Sequence, residues 1–424
     1  MEDALRVIEA RCIHQGDEYA VNLRVAERDG EVFLDLADKE WRVVEITSRG
    51  WRIVDRSPVK FVRPAAMHPL PMPETGGSID ALRDFVNVRA EGDFMLVIAW
   101  LVGALRPRGP YPILAVNGEQ GSGKSCLARI CRAQVDPNFA PIRSAPRDEQ
   151  ALQVVARNSW VVVLDNLSEV APWLSDGLCR LSTGGGFSAR ALFTDWEEVI
   201  FHAERPLIMN GIPDLAARAD LANRCIQVVL RAIPDTERRF EDEFWAAFDA
   251  ESPFMLGALL DAVAGALARK HDVAGTARKT RMADFALWAS AAERALGWAD
   301  GAFMEAYAKN RAGAVETAIE QDPIGQAARD LAEEGDWEGS PTALLAALEK
   351  HVSEAVRKSR LWPSANRLRS RLRRAQSPLR AFGVVLDLDR RSSDKERTRL
   401  IGIRKPERAG SCLDALEPGP ARSG

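Results

Sequence analysis

Residues 112–131 constrain the fold more than any other segment of this chain. Ile113, Leu114, Ala115 and Val116 form an unbroken apolar run ending at Asn117, the pattern of a strand buried on both faces. The run passes directly into Gly118, Glu119, Gln120, Gly121, Ser122, Gly123, Lys124 and Ser125, which fit the phosphate-cradling pattern G-x-x-x-x-G-K-[ST]. Cys126 then opens a stretch with Leu127, Ala128, Ile130 and Cys131 at helical spacing. A strand, a glycine turn and a helix in this order call for a parallel α/β layer, since the helix must carry the chain back over the sheet.

Each residue type in the loop has a chemical reason. Glycines at 118, 121 and 123 let backbone N–H groups close around phosphate oxygens at a helix N-terminus. Lys124 supplies a point charge for the β- and γ-phosphates and Ser125 a ligand for Mg²⁺. Gly118 through Cys126 is therefore the expected contact segment for ATP. A second buried strand, Trp160 to Leu164, ends in Asp165, where a carboxylate would hold Mg²⁺ through water. A third, from Pro206 to Met209, ends in Asn210, suited to positioning a water or sensing the γ-phosphate. Arg218 and Arg224 precede a fourth apolar strand at 225–230. Arg224 is the first candidate for a finger of the kind that reaches a neighbouring subunit's nucleotide in ring ATPases.

The expected fold class is α/β, a P-loop NTPase core carrying appendages. Residues 1–63 read as an all-β module, with β-rich runs at 31–36, 41–47, 51–55 and 59–62 and turns at Asp29-Gly30 and Arg49-Gly50. A proline-rich stretch, 64–77, reads as a linker. The core spans 78–234, a helical extension 235–335, a winged-helix-like module 340–405 and a disordered tail 406–424. The longest strongly apolar run, 94–105, is too short to span a membrane and reads as a buried helix. The six cysteines show no Cys-x-x-Cys pair and suit a reducing cytoplasm.

The strings YPILAVNGEQGSGKSCLARI, WVVVLDNLS, TGGGFSARALFTDWEEVIFHAERPLIMNG and LANRCIQVVL together resemble the superfamily 3 helicase branch of the AAA+ ATPases. The likeness is greatest to the ATPase domains of phage- and plasmid-type primase-helicases. It covers residues 90–235 and implies a ring-forming homo-oligomer, such as a hexamer, that hydrolyses ATP with Mg²⁺ on DNA, with a separate primase as a possible partner. It also implies a DNA-contacting hairpin, with strands at 188–193 and 199–202 and a tip at 194–198. The tip carries Asp195, Trp196, Glu197 and Glu198 where related hairpins present Lys or His. Asn166 stands where ring ATPases place an acid to polarise water, with Glu169 nearby as a substitute.

Charge is divided unevenly along the chain. The net charge is −4, yet residues 357–405 contain 16 Lys/Arg and four Asp/Glu, so the remainder carries −16. Within this basic end, Ser340, Pro341 and Thr342 can cap one helix. A second presents Leu368, Leu372, Ala375 and Leu379 as an apolar stripe, with Arg367, Arg369, Arg371, Arg373 and Arg374 largely off it. A two-stranded hairpin follows, with Arg390 and Arg391 in its tip. These arginines are the expected nucleic-acid contacts. Three functions fit: an ATPase acting on DNA, an ATP-gated DNA-binding scaffold with little hydrolysis and no translocation, and a small-molecule phosphotransferase.

Overall fold

The computed structural model describes every residue except 1, 191–197, 212–218, 276–279, 321, 360–361, 390–399 and 405–424. It divides into two compact units, Met1–Leu215 with Arg224–Ala308, and Ala216–Asn223 with Lys309–Gly424.

The first unit opens with a helix, α1 (Glu2–Gln15), which corrects the all-β expectation for residues 1–63. Good helix formers dominate this stretch and neither Gly nor Pro interrupts it before Gly16. A two-residue parallel pair, β1 (Val21–Asn22) with β6 (Lys60–Phe61), flanks an antiparallel meander. The meander consists of β2 (Val25–Arg28), β3 (Glu31–Asp35), β4 (Val43–Thr47) and β5 (Gly50–Val54). Asp29 and Gly30 have φ of 56° and 83°, the left-handed pair that a tight β2–β3 hairpin needs.

The stretch 64–77 is not a free spacer. Leu70 is buried and its N–H donates to Leu36 O at 2.9 Å, while Glu74 N–H donates to Pro253 O at 3.0 Å. Prolines favour an extended path, but the intervening N–H groups still need acceptors, and neighbouring backbone supplies them.

Helix α2 (Glu91–Ala104) is almost wholly buried. Then come β7 (Ile113–Gly118), α3 (Lys124–Val135), α4 (Glu149–Arg157), β8 (Val162–Leu167) and α5 (Pro172–Thr183). They are followed by β9 (Gly186–Arg190), β10 (Glu198–His202), β11 (Leu207–Gly211) and β12 (Cys225–Leu230), with α6 (Ala219–Ala222), a part of the second unit, between β11 and β12 in the chain. The sheet is parallel with order β12-β7-β11-β8. β9 and β10 pair antiparallel, with Glu198 opposite Arg190. Glu198 is thus a strand residue and not part of the hairpin tip; Asp195, Trp196 and Glu197 lie outside the described residues.

Helices α7 (Glu241–Arg269) and α8 (Ala283–Ala292) pack on this unit, and the boundary between units falls inside α9 (Ala302–Glu320). By length and composition α7 could cross a membrane, but most of its apolar window is buried. It lies in one hydrophobic cluster with Val44 and Ile46 of β4, Trp100 of α2 and Val116 of β7. The β-meander is therefore part of the same core as the parallel sheet, and residues 235–335 do not form one helical extension. Aromatic side chains explain the break, since Phe303 and Tyr307 of α9 pack on Phe285 of α8.

The second unit contains α10 (Pro323–Glu334), β13 (Trp337–Gly339), α11 (Pro341–Leu348), α12 (Glu354–Arg357), α13 (Ala365–Ala381), β14 (Val385–Asp387) and β15 (Ile401–Arg404). Its sheet has three strands, β13-β15-β14, and not the two expected. Trp337 pairs with Ile403, so the module reaches back beyond residue 340. Leu368, Leu372, Ala375 and Leu379 are buried in its core with Ile324 and Leu331 of α10, and Ser340 Oγ caps α11 by accepting Ala343 N–H at 3.2 Å.

Candidate functional site

The carboxyl ends of parallel strands form the crevice where α/β proteins bind ligands. In this chain β7, β8 and β11 deliver Gly118, Asp165 and Asn210 there. Gly118, Gly121 and Gly123 have φ of 155°, 77° and 85°. At Gly118 a Cβ would lie 2.5 Å from Leu230 O, so only glycine fits between the loop and the end of β12.

Lys124 begins α3, and its ammonium donates to Gly118 O at 2.8 Å and Glu119 O at 2.7 Å. One residue on, Ser125 Oγ donates to Asp165 Oδ1 at 2.8 Å. A hydroxyl paired with a carboxylate offers the hard oxygens that Mg²⁺ prefers. Asn210 is buried, and its Oδ1 accepts Asn166 N–H at 2.8 Å while its Nδ2 has no hydrogen-bond partner among the described residues. Ser122 Oγ is likewise buried without a partner among the described residues. Buried polar groups are nearly always hydrogen-bonded, so these orphans fit a site built for a polar ligand. Glu119 and Gln120 are exposed and Cys126 half-buried. Burial pushes the Cys126 thiol up to about 11, which keeps it protonated and leaves it a packing group.

Asn166 adopts φ of 55°, a left-handed conformation that Asn tolerates far better than most residues. Glu169 is exposed in the segment between β8 and α5, with no contact to Asp165 among the described residues. Arg224 is not brought to this crevice. Its carbonyl accepts Ile113 N–H at the start of β7, whereas Leu230 pairs with Gly118 at the other end of β12. Six strand residues separate these ends by about 17 Å.

Sequence reading missed the groups behind the loop. Asn87 Nδ2 donates to Ser122 O at 3.1 Å and to Arg231 O at 2.6 Å. Ile233 N–H donates to Gly121 O at 3.3 Å. Arg238 Nη2 stands 3.1 Å from where a Cβ on Gly121 would sit, and Arg238 also pairs with Asp235 at 3.0 Å. The only sequence signal for Arg238 was its place in a charged run after the fourth strand.

In the second unit, α13 carries the arginines expected to meet nucleic acid. Arg367, Arg373 and Arg374 are exposed; Arg369 and Arg371 are half-buried at the edges of the packed face. Arg373 pairs with Asp389 at 3.3 Å. Arg390 and Arg391 lie outside the described residues.

No curated protein matches this chain. Among solved structures, two apo forms of the NrS-1 C-terminal region align with it. One has a TM-score of 0.42 at 12% identity over 95% of this chain and 90% of that one. The other has a TM-score of 0.38 at 11% identity over 94% and 90%. Both likenesses are too low to bear on function. Two family models also match. The AICE RepA C-terminal domain model covers residues 324–415. The model for the actinomycete integrative conjugative element replication protein covers residues 79–310, more than half of the chain. These include the glycine loop, Asp165 and Asn210, and the chain belongs to the actinomycete integrative conjugative element replication protein family.

Proposed function

We propose that this mobile-element replication protein is a P-loop, Mg²⁺-dependent ATPase of the AAA+ type, resembling superfamily 3 helicases, that acts on DNA as a homo-oligomeric ring. The observation that carries the reading is the Ser125–Asp165 pair at 2.8 Å, set beside a glycine loop and the Lys124 ammonium. When bound, Mg²⁺–ATP would supply a cleavable phosphoanhydride at this crevice. Ser125 and Asp165 would hold the metal, Asp165 through water. Lys124 would exchange its two loop carbonyls for phosphate oxygens, and the loop N–H groups would close around them. With its Oδ1 committed to Asn166, Asn210 retains an NH₂ group to orient a water or a γ-phosphate oxygen. Arg224, at the amino end of β12 and away from this crevice, would serve a neighbouring subunit's nucleotide and not its own. The second unit's order of helix, strand, helices and two strands supports a winged-helix-like DNA module.

A second reading, the ATP-gated scaffold, is favoured by Asn166. No carboxylate follows Asp165, and an αL position suits Asn better than Glu. Binding of labelled ATP with Mg²⁺, and DNA-stimulated hydrolysis, compared between the parent and Lys124→Ala, separate the cases. Binding and turnover that both vanish in the variant support the ATPase. Binding without turnover supports the gate. Binding that survives Lys124→Ala unchanged rejects both.

A further inference from the structure

Resting on the reading that the second unit meets DNA, we infer that α13 recognises a specific duplex sequence, with Asn366 and Arg367 reading base edges while Arg373, Arg374 and Arg380 hold phosphates. The helix carries six arginines and no carboxylate over 17 residues, a surface complementary to a polyanion. Its residues are sorted by rotation. At about 100° per residue, Leu368, Leu372, Ala375 and Leu379 share one side, and all four are buried. Asn366, Ser370, Arg373 and Arg374 cluster on the opposite side, and all are exposed, as is Arg367. Arg369 and Arg371 fall on the two flanks and are half-buried, so they support the helix more than they reach outward.

The chemistry differs along the exposed face. Recognition helices read bases with their N-terminal residues. At that end α13 places an Asn, which pairs bidentately with adenine N6 and N7, beside an Arg, which pairs with guanine O6 and N7. A helix meant only to grip a backbone would need no amide there. Arg373 and Arg374 lie about 10 Å further along the axis, at the distance where the groove rises to the phosphates. Ser340 Oγ caps α11 and Ser364 precedes α13 in extended backbone, so the first turn of α13 projects from a fixed start.

The test uses the full-length chain without nucleotide, so a failure of the ATP site and a failure of this proposal are separately visible. Rounds of gel-shift selection from a random duplex library should enrich one short sequence. Asn366→Ala should reduce the preference for that sequence over a scrambled duplex by about 5- to 150-fold, with little change on the scrambled duplex. Arg367→Lys, which keeps the charge and loses the fork, should do the same at a different base pair. Arg374→Ala should weaken both duplexes alike and lower the salt slope by about one. The proposal is overturned by absence of any enriched sequence, or by single strands that compete as well as duplex. It is equally overturned if Asn366→Ala weakens both duplexes to the same degree, or if an acidic protein surface binds in preference to DNA.

Discussion

Removing Arg24 tests whether the β-meander belongs to the same folding unit as the crevice at the ends of β7, β8 and β11. Its guanidinium is fully buried and donates to Asp136 Oδ1 at 3.1 Å, Asp35 O at 3.0 Å and His68 O at 2.9 Å. Asp136 ends α3, and its other carboxylate oxygen accepts the N–H groups of Trp160 and Val161 at 3.0 and 3.1 Å, just before β8. The helix that begins at Lys124 and the strand that reaches Asp165 thus converge on one carboxylate, and Arg24, just before β2, neutralises it. In Arg24→Met the volume is nearly kept but Asp136 loses its charge partner. Breaking a buried pair costs about 3–5 kcal/mol. The two retained N–H bonds and Arg132, 3.8 Å away, argue for the lower end. The abandoned carbonyls of Asp35 and His68 add about 1 kcal/mol each, for a total near 5 kcal/mol. With a urea slope of about 3 kcal/mol/M for a unit this large, the midpoint of the whole first unit should fall by about 1.7 M. Tryptophan fluorescence and far-UV circular dichroism in a urea titration would follow it. A shift below about 0.3 M, or early melting of the meander alone while the parallel sheet keeps its midpoint, would refute the shared-core reasoning.

Other outcomes follow from the crevice and the second unit. Gly118→Ala forces a Cβ against Leu230 O at a left-handed φ; it should cost about 1–3 kcal/mol and abolish binding of a fluorescent ATP analogue, and unchanged binding would sink the cradle geometry. Arg238→Ala removes an exposed pair with Asp235, so stability should move by less than about 1 kcal/mol. If Arg238 contacts phosphate, analogue affinity should nonetheless fall about tenfold, a charge-assisted hydrogen bond being worth about 1.5–3 kcal/mol; equal affinity removes it from the site. Burial raises the Asp322 carboxyl above its ordinary range, against the opposing pull of Arg371 and Arg374 and of the Ile324 and Gly325 N–H groups. A raised folded-state value means that its contribution is present at low pH and lost as pH climbs from the ordinary Asp range through the raised one. Asp322→Asn, which keeps the cap, should flatten that part of the stability profile; an unaltered profile refutes the assignment.

The elements that were legible in sequence are those whose signal is local. An apolar run with a glycine loop at its end defines β7 and the start of α3, because backbone conformation and burial act on the same few residues. The stripe of Leu368, Leu372, Ala375 and Leu379 was legible for the same reason, since helical spacing alone sorts it inward. Partners distant in the chain were not. Asn87 lies 31 residues before Gly118, and a lone Asn in a polar stretch carries no spacing that points to the Ser122 and Arg231 carbonyls. Proline content at 64–77 suggested a spacer, yet composition says nothing about whether the free N–H groups find acceptors on α7. β13 was missed because three residues are too few to show alternation.

The Asn166–Asn210 contact sharpens the choice between turnover and gating. The residue after Asp165 turns into a left-handed conformation, and its N–H is taken by the amide oxygen of the neighbouring strand's Asn210. That bond commits the Asn210 Oδ1, leaving its buried NH₂ as a donor without a partner among the described residues. An amide donor can orient a water but cannot accept its proton, so hydrolysis at this crevice would need a base from elsewhere. Glu169 is exposed in the segment leading to α5 and would have to move to serve. A carboxylate brought in by a neighbouring subunit would serve without that movement. Turnover that rises steeply with protein concentration and vanishes in Glu169-independent fashion on dilution would point to the neighbour. Concentration-independent turnover lost in Glu169→Gln would point to Glu169. An ATP complex stable for hours under both conditions would leave gating as the function of this crevice.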